Sequence, residues 1–303
     1  MQPTRAIAIP TKPVLHDLFL APFGSDLPFM RRALVAGLAL ALSYGPIGVF
    51  LVLRRMTLVT DAMAHAVLPG VAAGFLLSGL SLWAMSLGGL AAGVAVALLA
   101  GAVSRTTKLR EDASFAGFYL VALAAGVMLL SVRGSNIDLV HILFGSILAV
   151  DDSALYLMAG TASLTLLAMA AIYRPLLIDC LDPGFLRALG GRGALWHALF
   201  LMLLAINTVA GFQALGTLMA VGLMVLPAVA GRFWVRSVAA LWVAASTIAA
   251  LSSYFGLLLS FHADLPSGPS IVLVAGAIWF ASMLVGRYDS LRARLWRRRH
   301  LAG

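Results

Sequence analysis

Two residues buried in an apolar run carry the chemistry of this sequence. Asp61 and His65 lie four positions apart in RRMTLVTDAMAHAVLPG, residues 54–70. On an α-helix, positions i and i+4 share a face, about 5–6 Å apart. A carboxylate beside an imidazole suits Zn²⁺ or Mn²⁺. If the helix starts near Arg55, Asp61 lies roughly 9 Å along it and His65 roughly 15 Å, at about 1.5 Å per residue. That is about half of a 30 Å hydrocarbon core, so the pair approaches the midplane. An unpaired carboxylate there costs several kcal/mol, about 3 on insertion scales. An LPG breaker follows at residues 68–70. An ionisable pair inside a membrane helix, next to a break in that helix, marks a functional site. The alternative is a hydrogen-bonded pair that only locks helix packing.

The elements that must position this pair are membrane helices. Of 303 residues, 62% are hydrophobic and 11% charged, and the mean hydropathy is +1.00. Soluble domains carry roughly 25% charged residues. The fold class is therefore an all-α polytopic membrane protein. The formal charge of +9 does not point to nucleic acid. Its Lys and Arg sit in short loops and in the tail, as the positive-inside rule requires.

Absences narrow the function. Lys12 and Lys108 are the only lysines and neither follows a glycine, so no Walker A loop can form. Glu111 is the only glutamate, which excludes an HExxH zinc-protease signature. Cys180 is alone, so there is neither a disulfide framework nor a thiolate cluster. No cofactor is expected to be permanently bound. No nucleophile–base pair suggests an intramembrane enzyme, and the scattered methionines read as core filler.

Along the chain, residues 1–28 read as an N-terminal segment with a short amphipathic stretch at 14–20. A transmembrane domain follows over 29–286, and 287–303 form a basic cytoplasmic tail. Spans are expected near 33–53, 57–79, 82–103, 114–132, 153–173, 195–212, 215–231, 238–260 and 269–286. That makes about eight to nine transmembrane helices, with 195–231 the region where the count is most open. The apolar stretch 138–150 is too short to cross and reads as re-entrant or interfacial. Residues 174–193 form the longest polar interruption. Nine spans put every basic loop on the side of the tail, but leave Lys12, Arg31 and Arg32 on the other side.

Several motifs, taken together and in order, resemble one family. They are PFMRRAL at 28–34, GVFLVLRRM at 48–56, DAMAHAVLPG at 61–70, LFGSILAV at 143–150, DPGFLRALG at 182–190, GTLMAVGLMVLPA at 216–228 and DLPSG at 264–268. The chain is similar to the permease subunits of ABC-type importers of divalent metals, the zinc/manganese/iron branch. The resemblance implies a bacterial inner-membrane protein working as a homodimer. It also implies cytoplasmic ATP-binding subunits, where ATP binds, and an extracytoplasmic metal-binding protein. The transported ion would be zinc, slightly ahead of manganese, passing by alternating access over the Asp61/His65 face. A metal-chelate permease or an ATP-independent secondary metal transporter are the alternatives.

Further residues are candidates for supporting roles. Asp182 caps a short helix, Pro183 suits its first turn, and Gly190 ends it. In the resembled family this element couples to the ATPase. Here it would offer Phe185, Leu186 and Leu189 to the partner, with Arg187 alongside. Asp138 and His141, one helical turn apart, are candidate gate residues, or simply polar groups at the membrane interface. His262 and Asp264 flank a loop that could receive delivered metal or merely be solvated. His197 begins the sixth span and no role is assigned to it; His16 and His300 read as surface residues.

Overall fold

A computed structural model of the chain describes residues 28–79, 81–132, 147 and 150–293. Its helices are α1 (Pro28–Leu53), α2 (Thr57–Ala66), α3 (Leu68–Ser78), α4 (Leu82–Thr106), α5 (Glu111–Val132) and α6 (Asp152–Leu181). They continue as α7 (Pro183–Ala188), α8 (Gly193–Leu215), α9 (Thr217–Gly231), α10 (Val238–Ala263) and α11 (Ser267–Val285). The segments 1–27 and 294–303, and most of the apolar stretch 138–150, lie outside the described residues.

Among the described residues, eight helical segments are long and apolar enough to cross a membrane, α2 and α3 counting as one. The first of them is the central post. Its most apolar window is 78% buried, against 22–39% for the helices on the periphery. Phe50 near its end meets Tyr173 of α6, Phe200 of α8 and Trp242 of α10, with ring centroids 6.1–6.3 Å apart. Such aromatic pairs contribute about 0.5–1.5 kcal/mol each beyond burial.

Small residues let the backbones meet. A side chain at Gly48 would collide with the Met224 carbonyl of α9, and one at Gly70 with the Gly88 carbonyl of α4. Between lipid-soluble helices, close contact of this kind replaces the hydrophobic driving force. Buried polar groups add directional contacts. Tyr44 donates its hydroxyl to the Asn207 carbonyl at 3.3 Å, and Asn207 donates from its amide to Thr165 at 2.7 Å.

The span at 215–231 differs from expectation. Its helix α9 has 15 residues, about 22 Å at 1.5 Å per residue, and falls short of a 30 Å core. It starts after a chain reversal at Gly216, where φ is 80° and a side chain would be strained. It then returns beside α1 towards the end marked by Arg54. The fifth span is longer than expected. α6 runs 30 residues, straight through Pro175, so Arg174 and Asp179 are helical rather than loop residues. Asp151 caps its start, accepting from Ala154 N–H at 2.8 Å. The Ser153 hydroxyl and that N–H hold the Asp151 carboxyl below the usual range.

One end of the bundle is basic. Contacts among Arg54, Glu111, Asp179 and His197 bring together the ends of α1 and α6 and the starts of α5 and α8. Tyr288 N–H donates to the Phe233 carbonyl at 2.8 Å, and Val52 packs beside Val235, which adds the 232–236 and 287–292 segments to the same end. This is the cytoplasmic face by the positive-inside rule. The expected discord at Arg32 is reduced, because Arg32 pairs with Asp152 at 3.1 Å on the opposite face.

Candidate functional site

Asp61 and His65 lie on α2, and Val59, Ala62, Met63 and Ala66 bury its other side. The helix breaks at Val67, one residue after Ala66, and Pro69 opens the next helix. Gly126 of α5 meets the backbone at Pro69, so a neighbouring helix braces the break. The His65 Nε2 and Asp61 Oδ1 atoms are 3.9 Å apart. Two coordination bonds of about 2.1 Å span at most roughly 4.2 Å, so both atoms can reach one ion. Nothing in that separation is a direct hydrogen bond, which speaks against a pair that only locks the helix.

The surroundings of the pair are asymmetric. His65 stacks on Tyr119 of α5 with centroids 6.1 Å apart and an interplanar angle of 29°. Its Nδ1 is buried with no hydrogen-bond partner, a cost of about 1–3 kcal/mol. Asp61 is 61% exposed and opens into a groove of about 560 Å³. Leu218, Val221 and Val225 of α9 and Val272 of α11 form the apolar walls, with Thr57 and Thr217 at polar positions. Among the described residues, no three His, Cys, Asp or Glu side chains converge on one point. Among the described residues the pair therefore presents two donor atoms and no third beside them.

At the cytoplasmic face, α7 forms as its residues dictate. Asp182 accepts from Phe185 N–H at 2.9 Å, Pro183 occupies the first turn, and Gly190 leaves the helix with φ 73°. Phe185 and Leu189 are 53% and 65% exposed, and Arg187 is exposed too. Leu186 corrects the expectation. It is 6% exposed and packs on Gly191 and Gly193, so it anchors α7 to its own chain and is not offered to a partner. The physical reason is packing: the chain after α7 folds back at Gly190 and brings Gly191 and Gly193 over Leu186.

His262 and Asp264 are both exposed at the far end of α10, and neither lines the groove at Asp61. Asp138 and His141 lie outside the described residues.

The structure also assembles a cluster that sequence reasoning missed. Arg54 donates to Asp179 Oδ2 at 2.6 Å, to His197 Nδ1 at 2.5 Å and to Cys180 Sγ at 3.1 Å. His197 Nε2 meets Glu111 Oε1 at 2.5 Å. A guanidinium can only donate, so Nδ1 accepts and the proton sits on Nε2, donated to Glu111. The Arg54 and Asp179 side chains are 12% and 13% exposed and His197 8%, so this is a shielded network. Its members are 54, 111, 179 and 197 in the chain, and no spacing rule connects them. The one available hint was that Glu111 is the sole glutamate.

Comparison with known proteins places the fold. The manganese import system permease protein ScaB of Streptococcus parasanguinis is 32% identical over 257 residues, covering 85% of this chain and 90% of that protein. The manganese transport system membrane protein MntC of Halalkalibacterium halodurans is 33% identical over 270 residues, 89% of this chain and 91% of its own length. Among solved structures, PsaBC from Streptococcus pneumoniae in complex with Fab superposes with a TM-score of 0.79 at 29% identity, covering 91% of this chain and 98% of that one. The model of the ABC 3 transport family matches residues 26–286. With its apolar helices, its basic cytoplasmic face and no phosphate-binding loop of its own, this chain belongs to the ABC 3 transport family, the multi-pass inner-membrane permease subunits of ABC-type metal transporters.

Proposed function

We propose that this chain is the membrane subunit of an ATP-driven importer of divalent transition-metal ions, with manganese ahead of zinc. The Asp61–His65 pair carries the reading. Its two donor atoms lie within reach of one ion, and Asp61 opens onto a groove along a membrane-spanning segment. A carboxylate and an imidazole without thiolate suit Mn²⁺ and Zn²⁺ alike. The sequence placed zinc slightly first. The similarity to two manganese permeases supports the opposite order.

Family membership implies separate ATP-binding subunits and a substrate-binding protein. It argues against an ATP-independent secondary transporter. We assign α7, through exposed Phe185, Arg187 and Leu189, as the contact with the ATP-binding subunit. We assign the groove at Asp61 as the face covered by a second copy of the chain. A carboxylate that is 61% exposed at this depth cannot face lipid without a penalty of about 3 kcal/mol. Two copies facing one another would also bring four ligands to a common pathway.

The test is uptake of Mn²⁺ and Zn²⁺ by the complete transporter carrying Asp61→Asn or His65→Ala. Each variant should lose at least about tenfold in uptake, the scale at which metal sites respond to lost support. Near-normal uptake in both would remove the pair from the pathway.

A further inference from the structure

The shielded cluster around Arg54 occupies a particular place in the fold. Each of its four members begins or ends an element that matters elsewhere. Arg54 begins the turn after α1, and α2 with its Asp61–His65 pair starts three residues later. Glu111 is the first residue of α5, and Tyr119, which stacks on His65, lies two turns further along the same helix. Asp179 stands three residues before Asp182, the cap of α7. His197 lies in the first turn and a half of α8, just beyond α7. The start of α2 and both flanks of the cytoplasmic helix therefore meet at the Arg54 guanidinium, and α5 joins through the Glu111–His197 bond.

The contact is continuous in the other direction as well. Leu186, the buried anchor of α7, packs on Gly193, its Cδ2 being 3.5 Å from where a Cβ there would lie. Gly193 in turn lies against the Asp179 carboxylate, which Arg54 holds at 2.6 Å. The turn itself has little freedom to absorb a shift. Arg55 is left-handed at φ 59°, and Met56 N–H donates back to the Leu51 carbonyl at 2.8 Å. A displacement of α7 therefore moves Asp179 and His197, and through Arg54 the start of α2.

We propose that Arg54, Asp179, His197 and Glu111 form a positioning relay that couples the cytoplasmic helix α7 to the Asp61–His65 pair. The relay rests on the reading of α7 as the ATPase contact and of Asp61 and His65 as the metal face. Its parts suit the task. The Arg54 guanidinium is always charged and binds in fixed directions, so it holds two helix ends in register as a flexible lysine would not. Its packing over the Phe200 ring, 5.8 Å from the centroid, fixes it further. A shielded ion pair is also costly to leave half-broken, so the two helix ends move together.

The experiment uses the complete transporter in vesicles, with Mn²⁺ uptake and ATP hydrolysis measured together. Asp179→Asn and Glu111→Gln keep shape while removing charge. Each should assemble at normal yield and hydrolyse ATP within about twofold of the parent. Ions moved per ATP should fall roughly tenfold, within the range that packed networks transmit. The swap Arg54→Asp with Asp179→Arg should recover part of that ratio relative to Arg54→Asp alone, and Asp179→Glu should recover more than Asp179→Asn. An unchanged ratio in both amide variants overturns the relay. So does a loss of uptake that merely follows the amount of assembled complex, which is what a structural role predicts. Should Asp179→Asn assemble poorly, Glu111→Gln and the swap give the same reading. Failure of the underlying assignments shows elsewhere: Asp61→Asn would transport normally, or Phe185→Asp would leave the ATPase bound.

Discussion

At the residue scale, the site is a pair held from one side only. His65 is braced by Tyr119 and buried at Nδ1, while Asp61 opens into the groove. Under the proposed role, an ion that must be released should not meet a closed shell, and the two donors of the pair, with no third beside them among the described residues, suit that need. Tyr119 supports the imidazole without supplying a ligand. Tyr119→Ala should raise the Mn²⁺ concentration for half-maximal uptake by roughly tenfold, as lost outer support does at metal sites, while assembly stays normal. Concentration-dependent uptake in vesicles measures it. Tyr119→Phe keeps the ring and should behave as the parent.

At the element scale, two short pieces differ in what stabilises them. α7 has six residues, too few to hold as an isolated helix. It depends on its cap and on Leu186. Asp182→Ala should cost about 1 kcal/mol of local stability and weaken retention of the ATP-binding subunit in pull-down. Phe185→Asp should remove that retention, because Phe185 is exposed and its loss leaves the fold intact. The α3–α4 crossing depends on Gly70 and Gly88. Gly88→Val should cost about 1–3 kcal/mol by overpacking, seen as a lower thermal midpoint in detergent. Gly117→Ala meets open space within 4 Å and should leave the midpoint unchanged or raise it.

At the scale of the whole molecule, charge sets the orientation. The 54–55, 105–110, 187–192, 232–236 and 287–292 segments share the end that bears α7. Cys180 is the single cysteine, so Cys180→Ser supplies a clean background. Into it, Leu189→Cys should react with a membrane-impermeant thiol reagent only in opened vesicles, and Asp264→Cys from outside intact cells. Labelling of both from the same side would reverse the topology.

Much of this was legible in the linear chain. Apolar run length, the Arg54-Arg55 boundary, the i, i+4 placement of Asp61 and His65, the Pro69 break and the Asp182 cap are all local. Each depends on residues within one or two helical turns, where spacing alone decides geometry. The length of α6 through Pro175, the brevity of α9 and the inward turn of Leu186 were not legible. Neighbouring helices decided them by packing, and a local pattern does not contain the neighbour. The Arg54 cluster is the clearest case. Arg54, Glu111 and Asp179 read in sequence as charges at loops and span ends and His197 as the start of a span, and only the close approach of four helix ends makes them one network. The sequence thus determined that the chain crosses a membrane and that an acid and an imidazole share one helix face inside a span. The tertiary structure decided which helix ends Arg54 ties together, because that joint consists of contacts between residues far apart in the chain.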